Sequence, residues 1–363
     1  MTATVTIGVE EEFHLVDPAD NTLTDAAERV LAISDRDGGS VQAELKSSEL
    51  ETATPVCTTL PELRGEVAAQ RRELLAAADE AGVGVVASGT LPAPPGGQSR
   101  PFPKRRYERL VAEYAEVGRE QLVCAMQVQV GVEDRELAVA ALPAITPWLP
   151  VLLALSGSSP FSDGVDTGYA SYRSVLWSRW PSAGVPPRVP SAAGWDAMVA
   201  DLVRTGTISD SGMVYFDVRP SQRYPTLEIR ICDSTPLLED VITFAGLGRA
   251  LVVTALRHPG GDVPHRPEIV RAASWRAARS GITGVLVDPR EPVARPARVV
   301  VDAFVEHVRP VLDELGDTER VLAGLGSLLR RGTSAERQRV AYARGNRHAD
   351  AVDELLTETR TDV

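Results

Sequence analysis

The chain has 363 residues, 44% of them hydrophobic and 24% charged, a composition that excludes a disordered or fibrous protein and can supply a large core. Its 50 acidic and 38 basic residues give a formal net charge of −12, which would repel a nucleic acid. The dense basic cluster at residues 104–106 is too short to override this charge. We therefore expect no nucleic-acid partner.

The cysteines and the apolar segments bear on location. Cys57, Cys124 and Cys232 lie far apart without a Cys-x-x-Cys pair, which argues against a disulfide framework or a structural zinc site. Residues 1–5 lack the basic and apolar regions of a signal peptide, so we predict a cytoplasmic protein. Residues 137–155 are long and apolar enough for a membrane span but contain three prolines. We interpret them as buried core segments and expect no membrane association.

Hydrophobic periodicity predicts strands and helices in alternation. Residues 4–16 alternate apolar and polar side chains, as a half-buried strand does. Further extended segments are predicted at 41–55, 83–88, 126–132, 214–218 and 226–232. Helices are predicted from Thr58–Thr59 to Gly82 and at 107–122, 241–256, 269–279, 297–315 and 334–357, with a Pro/Gly loop at 89–98. Because no repeat or linker is evident, we predict one α+β domain over residues 1–363.

The polar faces of these strands carry clustered acidic side chains. The candidates are Glu10, Glu12, Glu228 and Arg230, with Glu44, Glu51, Gln127 and Gln129 as further members. A plain solvated sheet face would explain them, but two glutamates at i and i+2 on one face repel each other. Divalent cations remove that repulsion, and carboxylates with few imidazoles suit Mg²⁺ or Mn²⁺. His14 shares the face of Glu12, where a strand-end histidine is usually a bystander.

Phosphate binding by a glycine-rich loop is not indicated, because neither a P-loop nor a dinucleotide fingerprint occurs. A nucleotide would have to be held by metal ions and arginines, which contact phosphate through a planar, bidentate group. Our candidates for ATP or phosphate binding are Arg219, Arg223, Arg276 and Arg337. Each of them could equally be a surface residue or part of an ion pair. The five histidines show no triad spacing, so we expect no nucleophilic catalysis.

Seven longer segments match one family in order along the chain. They are residues 8–13 (GVEEEF), 49–55 (ELETATP), 87–90 (ASGT), 166–174 (DTGYASYRS), 217–221 (DVRPS), 223–230 (RYPTLEIR) and 332–339. Together they resemble the carboxylate–amine ligases of the glutamate–cysteine ligase type 2 family, within the glutamine synthetase-like superfamily. The resemblance implies an α+β fold, an antiparallel sheet forming a funnel with helices packed behind it. It also implies ATP-dependent amide formation with Mg²⁺ or Mn²⁺ from small-molecule carboxylate and amine substrates, with a homodimer as one option.

The same resemblance assigns roles to individual residues. Glu10 and Glu12 match the paired metal-binding glutamates of the first strand, and Arg230 matches the catalytic arginine that faces the transferred phosphate. Glu51 and Glu228 match further metal ligands, and Glu44 is another candidate. The implied mechanism is attack of a carboxylate on the γ-phosphate of ATP, followed by reaction of the acyl phosphate with an amine.

One departure from the family pattern concerns the substrate side of the site. The family commonly has His-Val-His-Val-Gly where this chain has Gln127-Val-Gln129-Val-Gly. An amide oxygen can still bind Mg²⁺ but is a weaker ligand than imidazole for Mn²⁺. We predict that substrates contact Gln127, Gln129, Tyr172 and Arg173. Two alternatives stay open: a ligase for a carboxylate other than glutamate, and a catalytically impaired binding or scaffold protein.

Overall fold

The computed structural model describes residues 5–35, 39–93 and 99–363. Its strands are β1 (Ile7–Val16), β2 (Gln42–Ala43), β3 (Glu49–Ala53), β4 (Gly84–Val86), β5 (Ala125–Gly131), β6 (Phe161–Ser162), β7 (Val165–Asp166), β8 (Val218–Pro220), β9 (Thr226–Asp233), β10 (Val285–Asp288) and β11 (Val293–Pro296). Seven of them form one antiparallel sheet in the order β2-β3-β1-β5-β9-β8, with β4 also paired to β1. The pairs β6–β7 and β10–β11 form two small separate sheets.

Helices surround this sheet in the described part of the chain. They are α1 (Ala27–Ser34), α2 (Leu60–Ala81), α3 (Arg105–Tyr114), α4 (Glu116–Arg119), α5 (Arg135–Ile145), α6 (Leu149–Ser156), α7 (Tyr172–Trp177), α8 (Ala192–Arg204), α9 (Leu238–Arg257), α10 (Pro267–Ser280), α11 (Ala297–Leu315), α12 (Thr318–Arg331), α13 (Ser334–Gly345) and α14 (His348–Thr359). The α+β class and the antiparallel sheet with helices behind it are as predicted.

Capping signals locate helix ends accurately where they are strong. Helix α2 begins after Thr59, whose side chain accepts a hydrogen bond from Glu62 N, and it carries Pro61 in its first turn. It ends at Gly82, whose φ of 70° suits a residue without a Cβ. The predicted start and end of this helix are therefore confirmed, as is the predicted helix at 297–315, which is α11.

Other predicted elements are wrong in part. The helix predicted at 107–122 breaks at Ala115, whose φ is 51°, and the one predicted at 334–357 breaks at Asn346, whose φ is 54°. The strand predicted at 214–218 is formed only from Val218 onward, and α1, α8 and α12 were not predicted. Part of the predicted 89–98 loop, residues 94–98, lies outside the described residues, as do residues 1–4 of the signal-peptide argument.

Helix α9 packs against the apolar face of the sheet and fixes its position. A Cβ added at Gly248 would lie only 3.3 Å from Ile229 Cδ1 and 3.4 Å from Val128 Cγ1, so glycine permits a close approach of helix and strands. Ile229 and Val128 are fully buried in the main hydrophobic core. At this packing density even one added methyl group must displace a neighbour. The helix therefore holds β5 and β9 rigidly from behind.

The long apolar segment is part of the same core. By length and composition alone, Arg135–Ser156 could cross a membrane. It is instead divided into α5, a 3₁₀ turn at Thr146–Trp148 and α6, and every residue of α6 is buried. Helix α6 contacts β9 and α10, and α5 contacts α9. The interpretation of this segment as buried core is confirmed.

One charged pair lies inside the apolar layer between β1 and α2. Glu11 points away from Glu10 and Glu12, and its carboxylate accepts hydrogen bonds from Arg71 at 2.6 and 3.1 Å. Arg71 also donates to the carbonyl oxygens of Pro236 and Thr235. Both side chains are buried, so the pair is stable only while each charge keeps its partner.

We expect Arg71→Met to destabilise the protein by about 3–5 kcal/mol, because it leaves the Glu11 carboxylate buried without a counter-charge. The free energy of unfolding is measured by urea denaturation. The control is Arg72→Met, since the neighbouring Arg72 is exposed, and it should change stability by about 0.5 kcal/mol or less. Equal losses in the two variants would contradict the role of the buried pair.

Candidate active site

A cavity of about 230 Å³ opens on the polar face of the sheet. Its acidic lining consists of Glu10, Glu12, Glu44, Glu49 and Glu51. Arg230 and Gln127 lie on the same wall, and aromatic side chains close the opposite side: Tyr107, Trp177, Trp180 and Tyr215. The structure thus brings together six of the predicted site residues, which are Glu10, Glu12, Glu44, Glu51, Gln127 and Arg230.

The strand register brings these side chains together. Glu12 on β1 lies opposite Glu51 on β3, and Glu10 lies opposite Gln127 on β5. Directly opposed residues of an antiparallel pair have their Cβ atoms about 4.5–5.5 Å apart, so their side chains share one face. Gln129 is opposite Glu228 in the same way. Residues separated by up to 218 positions therefore form one polar surface because of backbone pairing alone.

A β-bulge lies at the centre of this surface. The β5–β9 register shifts between Met126 and Val128, so Gln127 falls at the irregular position. Its Nε2 donates to Glu12 Oε1 at 3.1 Å, and its Oε1 accepts a hydrogen bond from Arg230 Nη1. The amide of Gln127 thus connects a carboxylate on one neighbouring strand with the guanidinium on the other.

Gln129 makes the corresponding contacts one step along β5. Its Nε2 donates to Glu10 Oε1 at 3.0 Å, and its Oε1 accepts from Thr226 Oγ1 at 2.7 Å. The prediction that Gln127 points into the cavity with Glu12 agrees with its place in the lining. Gln129, which we expected in the same cavity, lies outside the lining and contacts the acidic cluster through Glu10.

Burial and mutual repulsion raise the pKa of the cavity carboxyls. Burial raises the pKa of Glu12. The pKa of Glu51 is raised well above its usual range by burial and by the charges of Glu44 and Glu10. Burial and the Glu12 charge raise the pKa of Glu44 to about 7. Carboxyl groups clustered in this way tend to stay protonated, because no positive charge compensates them.

In contrast to the cavity carboxyls, Glu228 and Arg230 have pKa values shifted so that their charged forms are favoured. Burial alone would raise the pKa of Glu228, but Arg219 and Arg230 outweigh it and lower that pKa. Arg219 Nε donates to Glu228 Oε2 at 2.6 Å, whereas Arg230 Nη1 lies 3.4 Å from the same oxygen. Burial would lower the pKa of Arg230, but Glu228 and Glu10 outweigh it and raise that pKa. Both groups are therefore held in their charged forms.

Arg173 lies behind the cavity wall. Its side chain is 3% exposed, and its guanidinium donates to the carbonyl oxygens of Arg230 and Ile231 at 3.2 and 3.3 Å. It also lies 3.7 Å from the buried Asp233 carboxylate. Arg173 is therefore engaged with the backbone of β9, next to the residue that carries the cavity guanidinium.

Eight predicted site residues lie outside the cavity lining. Glu228, Gln129 and Arg173 contact residues of the lining, and Arg219 contacts Glu228. The other four are Tyr172, Arg223, Arg276 and Arg337. Tyr172 packs its ring against Tyr169, and Arg223 is exposed in the turn before β9. Arg276 lies over the ring of Trp275. Arg337 pairs with Glu358 at 2.5 Å and lines a separate groove of about 560 Å³ along α12 and α13.

The sequence analysis missed Glu49 as a member of the site. Glu49 lies two residues before Glu51 on β3, so both carboxylates share one face, and Glu49 is buried in the cavity wall. Burial and the charge of Glu44 raise its pKa well above the usual range. The i, i+2 spacing that drew attention to Glu10 and Glu12 would have identified it. Tyr215 and Trp180 carried no such signal, because they approach from loops.

Comparison of the fold with solved structures identifies its class. A crystal structure of a glutamate–cysteine ligase from Francisella tularensis in complex with AMP superimposes with a TM-score of 0.70 at 13% identity, over 99% of this chain and 89% of that chain. At this identity the likeness shows the fold. The predicted glutamate–cysteine ligase-like fold is thereby confirmed.

Sequence comparison identifies the family. Residues 6–358 match the model of glutamate–cysteine ligase family 2. A candidate glutamate–cysteine ligase 2-2 of Frankia alni is 46% identical over 98% of this chain and 97% of its own length. A candidate glutamate–cysteine ligase 2-3 of Rhodococcus jostii is 47% identical over 97% of this chain, which spans only 45% of that relative.

The chain belongs to glutamate–cysteine ligase family 2. The expected family and the expected class of enzyme, a C–N ligase of the glutamate–cysteine ligase type, are confirmed by these matches.

In metal-free protein, we expect the free energy of unfolding to fall as the pH rises from about 4.5 to 7. Glu44 has its pKa raised from 4.5 to about 7, so the folded state holds this proton more tightly than the unfolded chain. The resulting stabilisation is complete below pH 4.5 and is lost through pH 7. Urea denaturation in a chelator at a series of pH values measures it.

Glu44→Gln should lessen this pH dependence, to which the other cavity carboxyls also contribute, whereas Glu28→Gln, at an exposed glutamate of α1, should leave it unchanged. The idea is contradicted if the metal-free protein becomes more stable over this interval.

Proposed function

We propose that this protein is an ATP-dependent carboxylate–amine ligase that forms an amide bond through an acyl phosphate. The observation that carries the proposal is the cavity itself: five glutamates and the partly buried Arg230 line one cavity on the polar face of the sheet, in a member of this family. We further propose that residues 1–363 act as one domain, which is supported by the packing of the C-terminal α14 on β4.

The donor set of the cavity fits divalent cations. The lining offers carboxylate and amide oxygens without an imidazole, which are the ligands of Mg²⁺ and Mn²⁺. The metal ligands we propose are Glu10, Glu12, Glu44, Glu51 and Glu228. Bound there, the cations would neutralise the carboxylates and the nucleotide phosphates together. The raised pKa values of the cavity glutamates support this assignment, because they indicate a place where positive charge is lacking.

Arg230 would stabilise the transferring phosphoryl group. Its guanidinium is held in the charged form and lies on the cavity wall between Gln127 and Glu228. A planar guanidinium can donate two parallel hydrogen bonds to phosphate oxygens and needs no reorganisation during transfer. Arg219 keeps Glu228 ionised through its 2.6 Å hydrogen bond, and so maintains the charge pattern beside Arg230.

The substrate carboxylate and amine would enter from the aromatic side. Trp177, Trp180 and Tyr215 border the cavity there and can exclude water from an acyl phosphate, which hydrolyses readily. Gln127 and Gln129 would orient the substrate through their amides. Arg173 acts indirectly in this scheme, by holding the backbone of Arg230 in place.

The names of the relatives make glutamate and cysteine the first substrates to test. Gln127 and Gln129 stand where the family commonly has histidines, and this favours a second candidate, a ligase for another carboxylate.

Release of ADP and phosphate, measured with a panel of carboxylates and amines, tests the proposal. We expect turnover that requires ATP, a divalent cation and both substrates. Turnover with glutamate and cysteine supports the first candidate, and turnover with another acid supports the second. If no pair of substrates yields ADP while nucleotide still binds, the protein is a binding or scaffold member of the family.

With an active substrate pair, we expect Arg230→Lys to lower kcat about a hundredfold or more, since lysine lacks the planar bidentate contact. The control is Arg257→Lys, which changes an exposed arginine paired with Glu314 and should retain kcat. Circular dichroism checks that both variants are folded. Unchanged kcat in Arg230→Lys would remove this residue from the mechanism.

The glutamine at position 127 gives a separate prediction. We expect Gln127→His to bind Mn²⁺ more tightly and with greater preference over Mg²⁺, because imidazole is a better ligand for Mn²⁺ than an amide oxygen. Calorimetric titration with a non-hydrolysable nucleotide present compares the two proteins. Equal Mn²⁺ affinity would place position 127 outside the metal site and leave it a role in substrate binding.

A further inference from the structure

A group of side chains of metal-ligating type lies beside the acidic cavity, toward the C-terminal end of β1. His14 on β1, Glu49 on β3 and Cys124, just before β5, are all buried. His14 Nδ1 lies 3.6 Å from Cys124 Sγ and 3.8 Å from Glu49 Oε1. Cys124 Sγ lies 3.9 Å from the same oxygen. The three atoms therefore form a nearly equilateral triangle.

This triangle is not the geometry of a catalytic triad. A triad needs the thiol and the carboxylate on different nitrogens of the imidazole. Here both approach Nδ1, and the buried thiol has no access to solvent. The distance of 3.8 Å between His14 Nδ1 and Glu49 Oε1 is also too long for an N–H···O hydrogen bond.

We propose that His14, Glu49 and Cys124 bind one transition-metal cation of the Zn²⁺ class. Around a tetrahedral Zn²⁺, sulfur, nitrogen and oxygen ligands would be separated by about 3.4–3.6 Å, given metal–ligand distances of about 2.0–2.3 Å. The observed 3.6–3.9 Å needs a contraction of only a few tenths of an ångström. One thiolate, one imidazole and one carboxylate are a donor set for Zn²⁺ and not for Mg²⁺.

Glu49 connects this site to the acidic cavity. Its carboxylate is part of the cavity lining as well as of the triangle, so a cation can enter from the cavity side. Three protein ligands also leave one position of a tetrahedral ion open. A bound cation would tie β1, β3 and the start of β5 together at one level of the sheet.

The wide separation of the three residues explains why cysteine spacing gave no sign of this site. Structural zinc sites are recognised in sequences by pairs of ligands a few residues apart. In this chain the three ligands come from β1, from β3 and from the residue before β5, at positions 14, 49 and 124. The inference does not depend on the proposed ligase activity, because it concerns the affinity for a metal and not turnover.

Titration of metal-free protein with Co²⁺, in saturating Mg²⁺ to fill the carboxylate sites, tests the inference. We expect one Co²⁺ per chain, with a sulfur-to-metal charge-transfer band that Zn²⁺ abolishes on displacing the cobalt. Cys124→Ser should eliminate the band. Cys57→Ser, at a buried cysteine paired with the opposite end of β1, should retain it. His14→Gln should weaken Co²⁺ binding by roughly a hundredfold. Loss of a residue that only supports a metal ligand already lowers metal affinity by about 10- to 100-fold, and His14 would be a ligand itself.

X-ray absorption of the Zn²⁺-loaded wild-type protein covers the case in which Cys124→Ser fails to fold. One sulfur in the coordination shell is the expected result. A shell of oxygen and nitrogen alone, or a charge-transfer band that persists in Cys124→Ser, would overturn the inference. Turnover of the ligase reaction is a separate readout, so a failed metal test leaves the proposed function untouched.

Discussion

Repulsion among partly buried carboxylates on one sheet face is the constraint on which the rest of this structure depends. Glu12 and Glu51 are directly paired across β1 and β3, and Glu10 lies two residues from Glu12. Flexible strands would relieve this repulsion by separating or twisting apart. The antiparallel ladder and the close packing of α9 at Gly248 prevent that. Stability from the apolar face therefore maintains an unfavourable charge arrangement on the polar face, as is common at functional sites.

The positive charges are arranged so that they do not neutralise the cluster completely. Arg219 is engaged with Glu228, and Arg71 with Glu11 on the other face of the sheet. Arg173 lies behind the wall, where it contacts backbone carbonyls. Two of the described arginines line the cavity: Arg230 lies beside the glutamates, whereas Arg106 is paired with Asp210. The cluster thus lacks positive charge, and its carboxyl groups have raised pKa values for that reason.

Some motifs that resemble the family support the site from a distance. In the DTGYASYRS segment, Ser171 Oγ donates to Asp233 at 2.8 Å, and Asp233 also accepts hydrogen bonds from Ser158 N and Ser159 Oγ. In the segment 332–339, Gln338 Nε2 donates to Ser158 O at 2.8 Å. These contacts join the C-terminal helices to the end of β9. The motifs therefore hold the strand that carries Arg230, a role that residue type alone does not reveal.

Sequence alternation predicted the parts of the site that follow a regular strand. Glu10 and Glu12 were placed on one face by the period of two residues, and the structure agrees. The bulge at Gln127 and the pairing of Glu11 with Arg71 depend on register and on a distant helix, which the alternation of one strand cannot specify. Arg223, Arg276 and Arg337 were candidates by residue type alone, without any spacing that would bring them to one surface.

The orientation of Gln127 connects the proposed metal side of the cavity with the proposed phosphate side. Its amide donates to Glu12 and accepts from Arg230, so each neighbour favours the same orientation. To offer its oxygen to a cation beside Glu12, the amide would have to rotate and turn its NH₂ group toward the guanidinium, which has no acceptor. A phosphoryl group that draws the Arg230 donors away would remove this obstacle. Binding of phosphate and binding of metal would then be coupled through the neutral side chain of Gln127. An imidazole fixed as a metal ligand would not provide this coupling.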